Sequence, residues 1–329
     1  VAEVSDGGYI LGGIFTSKSI NFGNDVILKN TNNAAYTIDG MIIKCSSEGE
    51  VEWAKGIGHK RNIEMKSVIE TKDGSYVVGG NFVEEDIELE NGITLKHDGS
   101  KDGMLIKYDK VEQPNPTIIQ AKRIGESYED KIESVVPTKD GGYIVGGYFK
   151  STKIDLENGV SLTSKGNHNG MIIKYNPEGK AEWANAIGGE TGEYIATVAE
   201  TSDGGYIAGG YFYSNSVDLG NGINLYNKST SSYYSDGMII KFNSEGTIEW
   251  AQGIGGKTME HITSVAETSD GGYIIGGYFD STSVDLGNGI SLTNKDDSTA
   301  DGMIIKYNSE GIVEWAKGIG GKGAVHIYS

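Results

Sequence analysis

The chain has 329 residues, enough for one large domain or two ordinary ones, and a net charge of −18 at pH 7. This acidic balance argues against nucleic-acid binding and against an electrostatic membrane anchor, because both surfaces attract clustered Lys and Arg. No apolar run approaches the ~20 residues that a membrane-spanning helix needs. The single cysteine, Cys45, excludes a disulfide framework and a cysteine-based zinc site.

Five related segments of about 65 residues follow one another along the chain. The first marker, Asp-Gly-Gly-Tyr or Asp-Gly-Ser-Tyr, begins at Asp6, Asp73, Asp140, Asp203 and Asp270. The second, Gly-Met-Ile-Ile-Lys or Gly-Met-Leu-Ile-Lys, ends at Lys44, Lys107, Lys174, Lys241 and Lys306. The third, Glu-Trp-Ala, contains Trp53, Trp183, Trp250 and Trp315 and is missing from the second repeat. The repeats cover approximately residues 1–62, 63–130, 131–193, 194–260 and 261–329.

Each repeat contains four short segments rich in β-branched and aromatic residues, which predicts four strands. In the fifth repeat these strands cover residues 264–268, 273–279, 303–307 and 312–317. Glycine-containing turns join the first strand to the second and the third to the fourth, as is typical of antiparallel hairpins. No capped segment with helical periodicity is present. The chain is therefore predicted to be all-β.

Four antiparallel strands repeated radially make a β-propeller, so we expect a single five-bladed propeller over residues 1–329. Residues 326–329 followed by residues 1–6 match residues 261–270 in sequence. This match predicts a closed ring whose termini meet in the first strand of one blade. The alternative is an arc of a longer array.

A longer sequence pattern that recurs in the repeats resembles that of a known repeat family. The pattern Asp-Gly-Met-Ile-Ile-Lys-Tyr-Asn-x-Glu-Gly-x-x-Glu-Trp-Ala-x-x-Ile-Gly-Gly, followed by Ser-Val-x-x-Thr-x-Asp-Gly-Gly-Tyr, resembles the bacterial SBBP-type β-propeller repeat family. The segment Asp-Leu-Gly-Asn-Gly-Ile-Ser-Leu-Thr at 285–293 is similar to the part that precedes such repeats. The resemblance covers all five repeats, the second being degenerate, and implies a propeller within a secreted or surface-attached bacterial protein. The family name refers to seven blades, and the five repeats of this chain depart from that number. The family has no agreed catalytic residues, so none is transferred to this chain.

A long connection of about 20 residues joins the second and third strands of each repeat. In the fifth repeat it contains residues 284–292, whose alternating apolar residues around Gly-Asn-Gly predict a small extra hairpin. Its counterparts begin at Ile20, Ile87, Ile154 and Val217. The tips of these connections differ most between repeats, at residues 31–37, 96–101, 165–169, 227–235 and 294–300. Because loops on a rigid scaffold concentrate function, we expect the face that carries them to bind a ligand.

Two sets of side chains on these connections are candidate ligand sites. Tyrosines cluster around the fourth connection, at Tyr213, Tyr226, Tyr233 and Tyr234. Tyrosine combines an apolar ring with a polar tip, which suits sugar or peptide contacts, although packed tyrosines of an ordinary loop are the alternative. Aspartates recur in the extra hairpins, at Asp155, Asp218 and Asp285. They could coordinate Ca²⁺ with nearby carbonyls, but no calcium-loop motif is present, and outward, solvated carboxylates are the favoured interpretation. No other cofactor is predicted.

Other recurring residues are expected to be structural. A simple hairpin register places each motif lysine opposite a glutamate, for example Lys306 opposite Glu314, and predicts cross-strand ion pairs. The tryptophans hold one strand position and are expected to pack between blades. One position of the first strand holds Glu3, Glu70, Glu200 and Glu267, with Pro137 in the third repeat. Such carboxylates could line a cation site, but the proline favours turn-bonding or solvated glutamates.

These patterns predict a non-enzymatic, lectin-like binding module of a secreted or cell-surface bacterial protein. We expect it to be extracellular, to recognise a glycan or a protein, and to act as a monomer or as part of a larger multidomain chain. The alternative is a structural spacer or assembly module without a small-molecule site. A propeller hydrolase is the third hypothesis, since the histidines form no metal-ligand pair in sequence and no carboxylate pair stands out.

Overall fold

The computed structural model describes residues 1–30, 38–58, 62–83, 85–110, 116–229, 231–296 and 298–328. Within this part of the chain there are five four-stranded antiparallel sheets and five two-stranded hairpins. The one helical segment described is a single 3₁₀ turn, Glu90–Gly92, which is too short to span a membrane. The all-β prediction is therefore confirmed, and the repeated four-stranded sheets make a propeller-like repeat fold.

The strands are numbered in chain order, and within each four-stranded sheet the spatial order follows the chain order. The first sheet contains β1 (Ala2–Glu3), β2 (Tyr9–Phe15), β5 (Asp39–Cys45) and β6 (Val51–Ile57), with the hairpin β3 (Ser19–Asn21) and β4 (Ile27–Lys29). The second contains β7 (Ile63–Glu70), β8 (Tyr76–Phe82), β11 (Asp102–Tyr108) and β12 (Ile118–Ile124), with the hairpin β9 (Ile87–Glu88) and β10 (Thr94–Leu95). The third contains β13 (Asp130–Pro137), β14 (Tyr143–Phe149), β17 (Asn169–Tyr175) and β18 (Ala181–Ile187), with the hairpin β15 (Lys153–Asp155) and β16 (Ser161–Thr163).

The last two repeats follow the same plan. The fourth sheet contains β19 (Glu193–Glu200), β20 (Tyr206–Phe212), β23 (Asp236–Phe242) and β24 (Ile248–Ile254), with the hairpin β21 (Ser216–Asp218) and β22 (Asn224–Tyr226). The fifth contains β25 (Glu260–Glu267), β26 (Tyr273–Phe279), β29 (Asp301–Tyr307) and β30 (Val313–Ile319), with the hairpin β27 (Ser283–Gly287) and β28 (Ile290–Thr293). The extra hairpins expected from the fifth connection and its counterparts are thus all present.

The first strand of a repeat is longer than its sequence indicated. In the fifth repeat it begins at Glu260 rather than at Ser264. A β-bulge between Ile262 and Ser264 shifts the pairing with β26. Since a bulge interrupts the alternation of inward and outward side chains, the first half of the strand lacked the period-two pattern that marks a strand in sequence.

The chain divides into two compact units. The first comprises Val1–Val145, Phe149–Ser161 and Tyr175–Ala181, and the second comprises Gly146–Tyr148, Leu162–Lys174 and Glu182–Ser329. Each has a core of fully buried aliphatic and aromatic side chains. In the first unit it includes Ile10, Ile42, Val78, Met104 and Ile106, and in the second Ile207, Ile239, Ile262, Met303 and Ile305.

In the first, fourth and fifth sheets, a buried lysine joins the aspartate of the first turn to a glutamate of the fourth strand. In the fifth sheet, Lys306 Nζ lies 3.0 Å from Glu314 Oε2 and 3.1 Å from Asp270 Oδ2, and the lysine side chain is almost fully buried. The predicted lysine–glutamate pairs are confirmed in four repeats, as Lys44–Glu52, Lys174–Glu182, Lys241–Glu249 and Lys306–Glu314. The predicted register was wrong by one residue: Lys306 lies opposite Trp315, because a bulge displaces the glutamate. The second partner, the aspartate of the Asp-Gly-Gly turn, was not predicted.

Consecutive repeats are joined by aromatic packing and by hydrogen bonds. Within the first unit, Trp53 packs edge-on against Tyr76, with 5.7 Å between ring centroids. Within the second, Trp250 and Tyr273 are 5.6 Å apart. The expectation that tryptophans pack between repeats is confirmed at these junctions.

The recurring first-strand glutamates bond to turns of the neighbouring repeat. The Glu70 carboxylate accepts hydrogen bonds from the backbone N–H and hydroxyl of Ser5. Glu267 does the same with Ser202, at 2.7 and 2.8 Å. Of the two interpretations of these glutamates, the geometry therefore supports turn bonding.

Candidate functional site

The four candidate tyrosines lie in different surroundings. Tyr226, Tyr233 and Tyr234 are exposed, and Tyr233 is 84% exposed. Tyr213 is half-buried and lies edge-on to two other tyrosines, Tyr194 and Tyr211, with ring centroids 6.2 and 6.0 Å away. Among the described side chains, no ring contact connects Tyr213 to the other three candidates. Tyr213 therefore belongs to a different cluster.

That cluster is a continuous series of aromatic and histidine rings within the second unit. We call it the aromatic row. Its members are Tyr148, His168, Tyr194, Tyr211, Tyr213, His261, Tyr278, His326 and Tyr328. Three of the tyrosines, at 148, 211 and 278, are the penultimate residues of β14, β20 and β26. Because each of these strands leads into a long connection, the row lies at the strand ends from which the extra hairpins emerge.

Strand register brings the rings together. Tyr194 of β19 is paired with Tyr211 of β20, and His261 of β25 is paired with Tyr278 of β26. Gly210 and Gly277, which precede Tyr211 and Tyr278, have no side chain and so permit close backbone approach. A Cβ at Gly210 would collide with the Tyr194 carbonyl oxygen, so the strand geometry requires a glycine before Tyr211.

The rings contact one another both within a sheet and between consecutive repeats. Tyr194 and Tyr211 stack within the fourth sheet at a centroid distance of 4.8 Å. Tyr211 then stacks on His261 of the next repeat at 3.7 Å with the planes 5° apart. Tyr278 stacks on His326 at 4.1 Å with the planes 10° apart. Such stacking fixes the orientation of the rings and their polar edges before any ligand binds.

His261 is held as a neutral ring in the middle of the row. Ser235 Oγ lies 2.8 Å from its Nε2 and Tyr278 Oη lies 2.7 Å from its Nδ1. Burial, with a smaller contribution from His326, lowers the pKa of His261 to about 4. Burial also raises the pKa of Tyr278 to about 12. Because hydroxyls can donate or accept, they satisfy both nitrogens of a neutral imidazole, and these groups carry no charge near pH 7.

In the second repeat, which lies in the first unit, a charged and an amide side chain occupy the corresponding strand positions. Glu64 stands where Tyr194 stands in the fourth repeat, and it is paired across the strands with Asn81. Its carboxylate is 3.3 Å from Lys101 Nζ and 3.5 Å from Lys66 Nζ. The repeats are therefore alike in backbone but differ in chemistry at this position, and the aromatic row belongs to the second unit.

The three candidate metal aspartates lie on separate hairpins and serve their own turns. Asp155 accepts a hydrogen bond from the Glu157 N–H at 3.0 Å. Asp218 and Asp285 accept equivalent bonds from the N–H groups of Gly220 and Gly287, at 2.8 and 2.9 Å. All three are exposed, and the described residues contain no group of three His, Cys, Asp or Glu side chains suited to a metal. The geometry supports local turn bonding, as in other Asx turns.

Small cavities recur beside the extra hairpins. In the first unit, a cavity of about 270 Å³ is lined by Lys122, Arg123, Asp155, Glu157 and Tyr175, among others. In the second, a cavity of about 230 Å³ is lined by Ile254, Leu286, Asn288 and Tyr307, among others. Both are smaller than the ~300–1,000 Å³ typical of small-molecule pockets. They are less suited to a ligand than the extended aromatic row.

Carboxyl groups with raised pKa values are present, but they are fully buried. Burial raises the pKa of Asp102 to about 7, and that of Asp236 to about 6. Burial also raises the pKa of Glu260 to about 7, and the nearby Asp236 carboxyl adds to this rise. These side chains have no exposed surface, and the Lys228 N–H donates to Asp236 Oδ2 at 2.7 Å. Their arrangement holds loops against strand ends and gives a substrate no access.

The aromatic row was not predicted as a site, although its members were visible in the sequence. Gly-Gly-Tyr-Phe occurs in the third, fourth and fifth repeats only, and His261 and His326 are equivalent residues. Aligning Tyr194 with these histidines would have shown that one position of the first strand holds Tyr or His in successive repeats. The stacking of these rings on those of the neighbouring repeat depends on tertiary structure.

Comparison with known proteins gives a weak sequence similarity. No family model matches the chain. The chain is 28% identical over 156 residues to the uncharacterized WD repeat-containing protein L264 of Acanthamoeba polyphaga mimivirus. The alignment covers 45% of this chain and only 11% of that protein.

Comparison with solved structures gives matches with low TM-scores. A protein of unknown function from Dyadobacter fermentans DSM 18053 gives a TM-score of 0.38 at 13% identity, covering 77% of this chain and 67% of that one. A eukaryotic initiation factor gives a TM-score of 0.35 at 7% identity, covering 88% of this chain and 66% of that one. The chain is thus a repeat-rich all-β protein with weak similarity to a WD repeat protein.

Proposed function

We propose that this chain is a non-enzymatic binding module that recognises a glycan through the aromatic row and the tyrosines of the fourth connection. The observation that carries the proposal is the row itself, a series of pre-stacked Tyr and His rings across consecutive repeats. Its rings already contact one another, so little conformational entropy is lost when a ligand contacts their edges.

The chemistry of the row favours an uncharged, hydroxyl-rich ligand. Sugars present C–H groups on their faces and hydroxyls at their rims. Tyrosine rings suit the former, while tyrosine hydroxyls and imidazole nitrogens suit the latter. His261 is neutral near pH 7, and the chain has a net charge of −18, which disfavours anionic ligands. Tyr226, Tyr233 and Tyr234 are exposed and offer further aromatic contacts for a ligand.

The proposal also includes an extracellular location of the protein. The resemblance of the motifs to bacterial SBBP-type repeats supports a secreted or cell-surface protein in which this chain forms the recognition part. The similarity to a WD repeat-containing protein supports a binding or scaffold role in general. A protein ligand is the alternative to a glycan on the same row.

A structural or assembly module is the second candidate function. It is favoured by a specific observation: the cavities beside the extra hairpins, of about 270 and 230 Å³, are smaller than typical small-molecule pockets. This role needs no small-molecule site and is compatible with the first.

A glycan-array screen of the purified chain, with and without Ca²⁺, tests the proposed function. We expect saturable binding to neutral glycans that persists in a chelator, because the candidate aspartates bond to their own turns. Tyr213→Ala should weaken that binding at least about tenfold, as expected for an aromatic contact at a binding centre.

Tyr128→Ala is the matched control, since Tyr128 is a half-exposed tyrosine of the first unit, outside the aromatic row. Tyr233→Ala shows whether the loop tyrosines take part. Equal loss in Tyr213→Ala and Tyr128→Ala, with unchanged thermal unfolding, would contradict the assignment of the row. No binding to any glycan would overturn the glycan proposal and leave the assembly role. Binding that is lost in the chelator would identify the aspartates as metal ligands.

A further inference from the structure

Two fully buried carboxyl groups lie side by side where the fourth and fifth sheets meet, within the second unit. Asp236 begins β23 and Glu260 begins β25, and neither side chain has exposed surface. A Cβ at Gly255 would collide with the Asp236 carboxyl, and the N–H of the next residue, Gly256, donates to Glu260 Oε2 at 2.9 Å. Both carboxyls therefore contact adjacent residues of the connection between these repeats. We call Asp236 and Glu260 the carboxyl pair.

The surroundings of the carboxyl pair favour its protonated form. Asp236 Oδ2 accepts the Lys228 N–H, whereas Asp236 Oδ1 is buried and has no hydrogen-bond partner among the described residues. Burial raises the pKa of Asp236 to about 6 and that of Glu260 to about 7, and it outweighs the backbone hydrogen bonds, which favour the charged forms. Because the two carboxyls interact, they titrate as a pair, and ionising both buries two like charges.

Other titratable groups approach the carboxyl pair and its neighbours from the surrounding elements. They are Lys228 on the fourth connection, His261 on β25, Asp280 after β26, and His326. The Lys228 ammonium donates to a carbonyl of the next extra hairpin at 3.1 Å, and its charge offsets only part of the burial of Asp236. Burial raises the pKa of Asp280 and lowers that of His261 to about 4. Burial thus outweighs the neighbouring charges at the carboxyl pair.

Each member of the carboxyl pair is next in sequence to a residue that orients the aromatic row. Ser235 precedes Asp236, His261 follows Glu260, and Ser235 Oγ lies 2.8 Å from His261 Nε2. The backbone adds a second link, because the Glu260 N–H donates to the Ser235 carbonyl at 2.9 Å. His261 in turn stacks on Tyr211. Separation of β23 from β25 at the carboxyl pair would therefore break the bond that orients the central ring of the row.

The third repeat has the same arrangement without a pair of carboxyls. Asn169 begins β17 in the place of Asp236, and its Oδ1 accepts the Lys165 N–H at 2.7 Å. Glu193 begins β19 in the place of Glu260. An uncharged acceptor is thus sufficient to hold the connection against the strand end, and protonated Asp236 provides such an acceptor.

We infer that the carboxyl pair makes the aromatic row sensitive to pH: when the pair loses its protons to solvent, the ends of β23 and β25 separate, Ser235 releases His261, and ligand binding weakens. The effect on binding rests on the proposed glycan recognition, whereas the separation of the strand ends needs no ligand. At low pH the protonated pair keeps the rings oriented. At high pH the two like charges favour an open arrangement in which water reaches them.

Hydrogen exchange measured by mass spectrometry at pH 5 and pH 8, without ligand, tests the opening. We expect the protection of residues 231–236, corrected for the intrinsic exchange rate at each pH, to fall about tenfold between pH 5 and pH 8. This factor follows because the pKa of Asp236 is about 6 in the closed arrangement and near 4 in water. Residues 163–169 of the third repeat are the internal control, and their protection should not change, since Asn169 cannot ionise.

Three variants show whether the carboxyl pair causes the change in protection. Asp236→Asn should abolish it, because the amide keeps the acceptor and has no charge, and Glu260→Gln should reduce it. Asp218→Asn, at an exposed carboxylate of the same repeat, is the matched control and should respond to pH as the parent does. Urea unfolding verifies that each variant folds. Equal protection of the parent at both pH values would overturn the inference, and so would a pH response that persists in Asp236→Asn, which would assign it to Asp280 or His326.

The affinity for a glycan identified in the array screen, measured at the same two pH values, tests the effect on the aromatic row. We expect the parent to bind up to about tenfold more weakly at pH 8 than at pH 5, and Asp236→Asn to bind equally at both. His261 and Tyr278 keep their protonation states over this range, because their pKa values are about 4 and about 12. Constant affinity despite a fall in protection would overturn the regulation of the row. If no glycan binds at either pH, the proposed function fails, and the protection of residues 231–236 still supports or overturns the opening at the carboxyl pair.

Discussion

Replacing Trp53 by alanine is expected to lower the free energy of unfolding by about 3–5 kcal/mol, the range for removing a buried aromatic side chain. Trp53 is 5% exposed and packs on Tyr76 of the next repeat. The loss includes the apolar area of the indole and the cavity left between two sheets. Urea unfolding followed by far-UV circular dichroism measures the effect without relying on tryptophan fluorescence.

The same change at Trp315 should cost no more than about 1 kcal/mol, because an exposed side chain loses little burial on truncation. The two tryptophans hold equivalent positions in the Glu-Trp-Ala motif, so each serves as the control for the other. Equal losses would show that Trp315 is covered within the single chain. That result would favour the closed ring predicted from the sequence.

Replacing Asp236 by asparagine is expected to stabilise the protein at pH 8. Burial raises the pKa of Asp236 to about 6, so the folded state favours the protonated carboxyl. Its contribution to stability is therefore greatest below the pKa of the unfolded chain, near 4, and is lost as the pH rises through about 6. An amide keeps the hydrogen-bond acceptor and has no charge to bury.

The expected gain at pH 8 is about 1–3 kcal/mol, since one pKa unit corresponds to about 1.4 kcal/mol and the neighbouring Glu260 titrates with Asp236. The gain should shrink towards pH 5, where the parent carboxyl is protonated. Urea unfolding of parent and variant at both pH values measures this difference. Asp218→Asn, at an exposed carboxylate, should leave the pH dependence unchanged.

The third repeat provides the reciprocal substitution. Asn169 already occupies the position of Asp236, where its Oδ1 accepts a hydrogen bond from the Lys165 N–H at 2.7 Å. Asn169→Asp should therefore destabilise the protein at pH 8 and have little effect at pH 5. An Asp236→Asn variant that loses stability at pH 8 would show that the carboxylate is held charged by groups other than those described.

The sequence predicted the repeated elements well, because their determinants are local. Asp270, Gly271 and Gly272 form a tight turn in which the Gly272 N–H donates to Asp270 Oδ1 at 3.0 Å and Gly271 has a φ of 77°. The second strand of the fifth repeat, residues 273–279, was predicted with its correct bounds. The extra hairpins followed from alternation around Gly-Asn-Gly, whose glycines and asparagine adopt positive φ.

The candidate site was harder to predict from the sequence than the strands were. Tyr213 was selected as a loop aromatic, yet its ring contacts are with Tyr194 and Tyr211, which belong to strands. The bulge in β19 between Ile195 and Thr197 hid the alternation that would have placed Tyr194 on a strand. Stacking of Tyr211 on His261 depends on how one repeat packs on the next, which no local pattern encodes.

Two of the serine–glutamate bonds that join consecutive repeats have the same chain separation. Ser5 and Glu70 are 65 residues apart, and so are Ser202 and Glu267. A gene segment encoding one whole repeat could therefore be duplicated in frame, and the inserted copy would find a matching serine before it and a matching glutamate after it. The number of repeats can change during evolution without any new contact having to arise. Substitutions at the strand positions that form the aromatic row then give each added repeat its own surface chemistry.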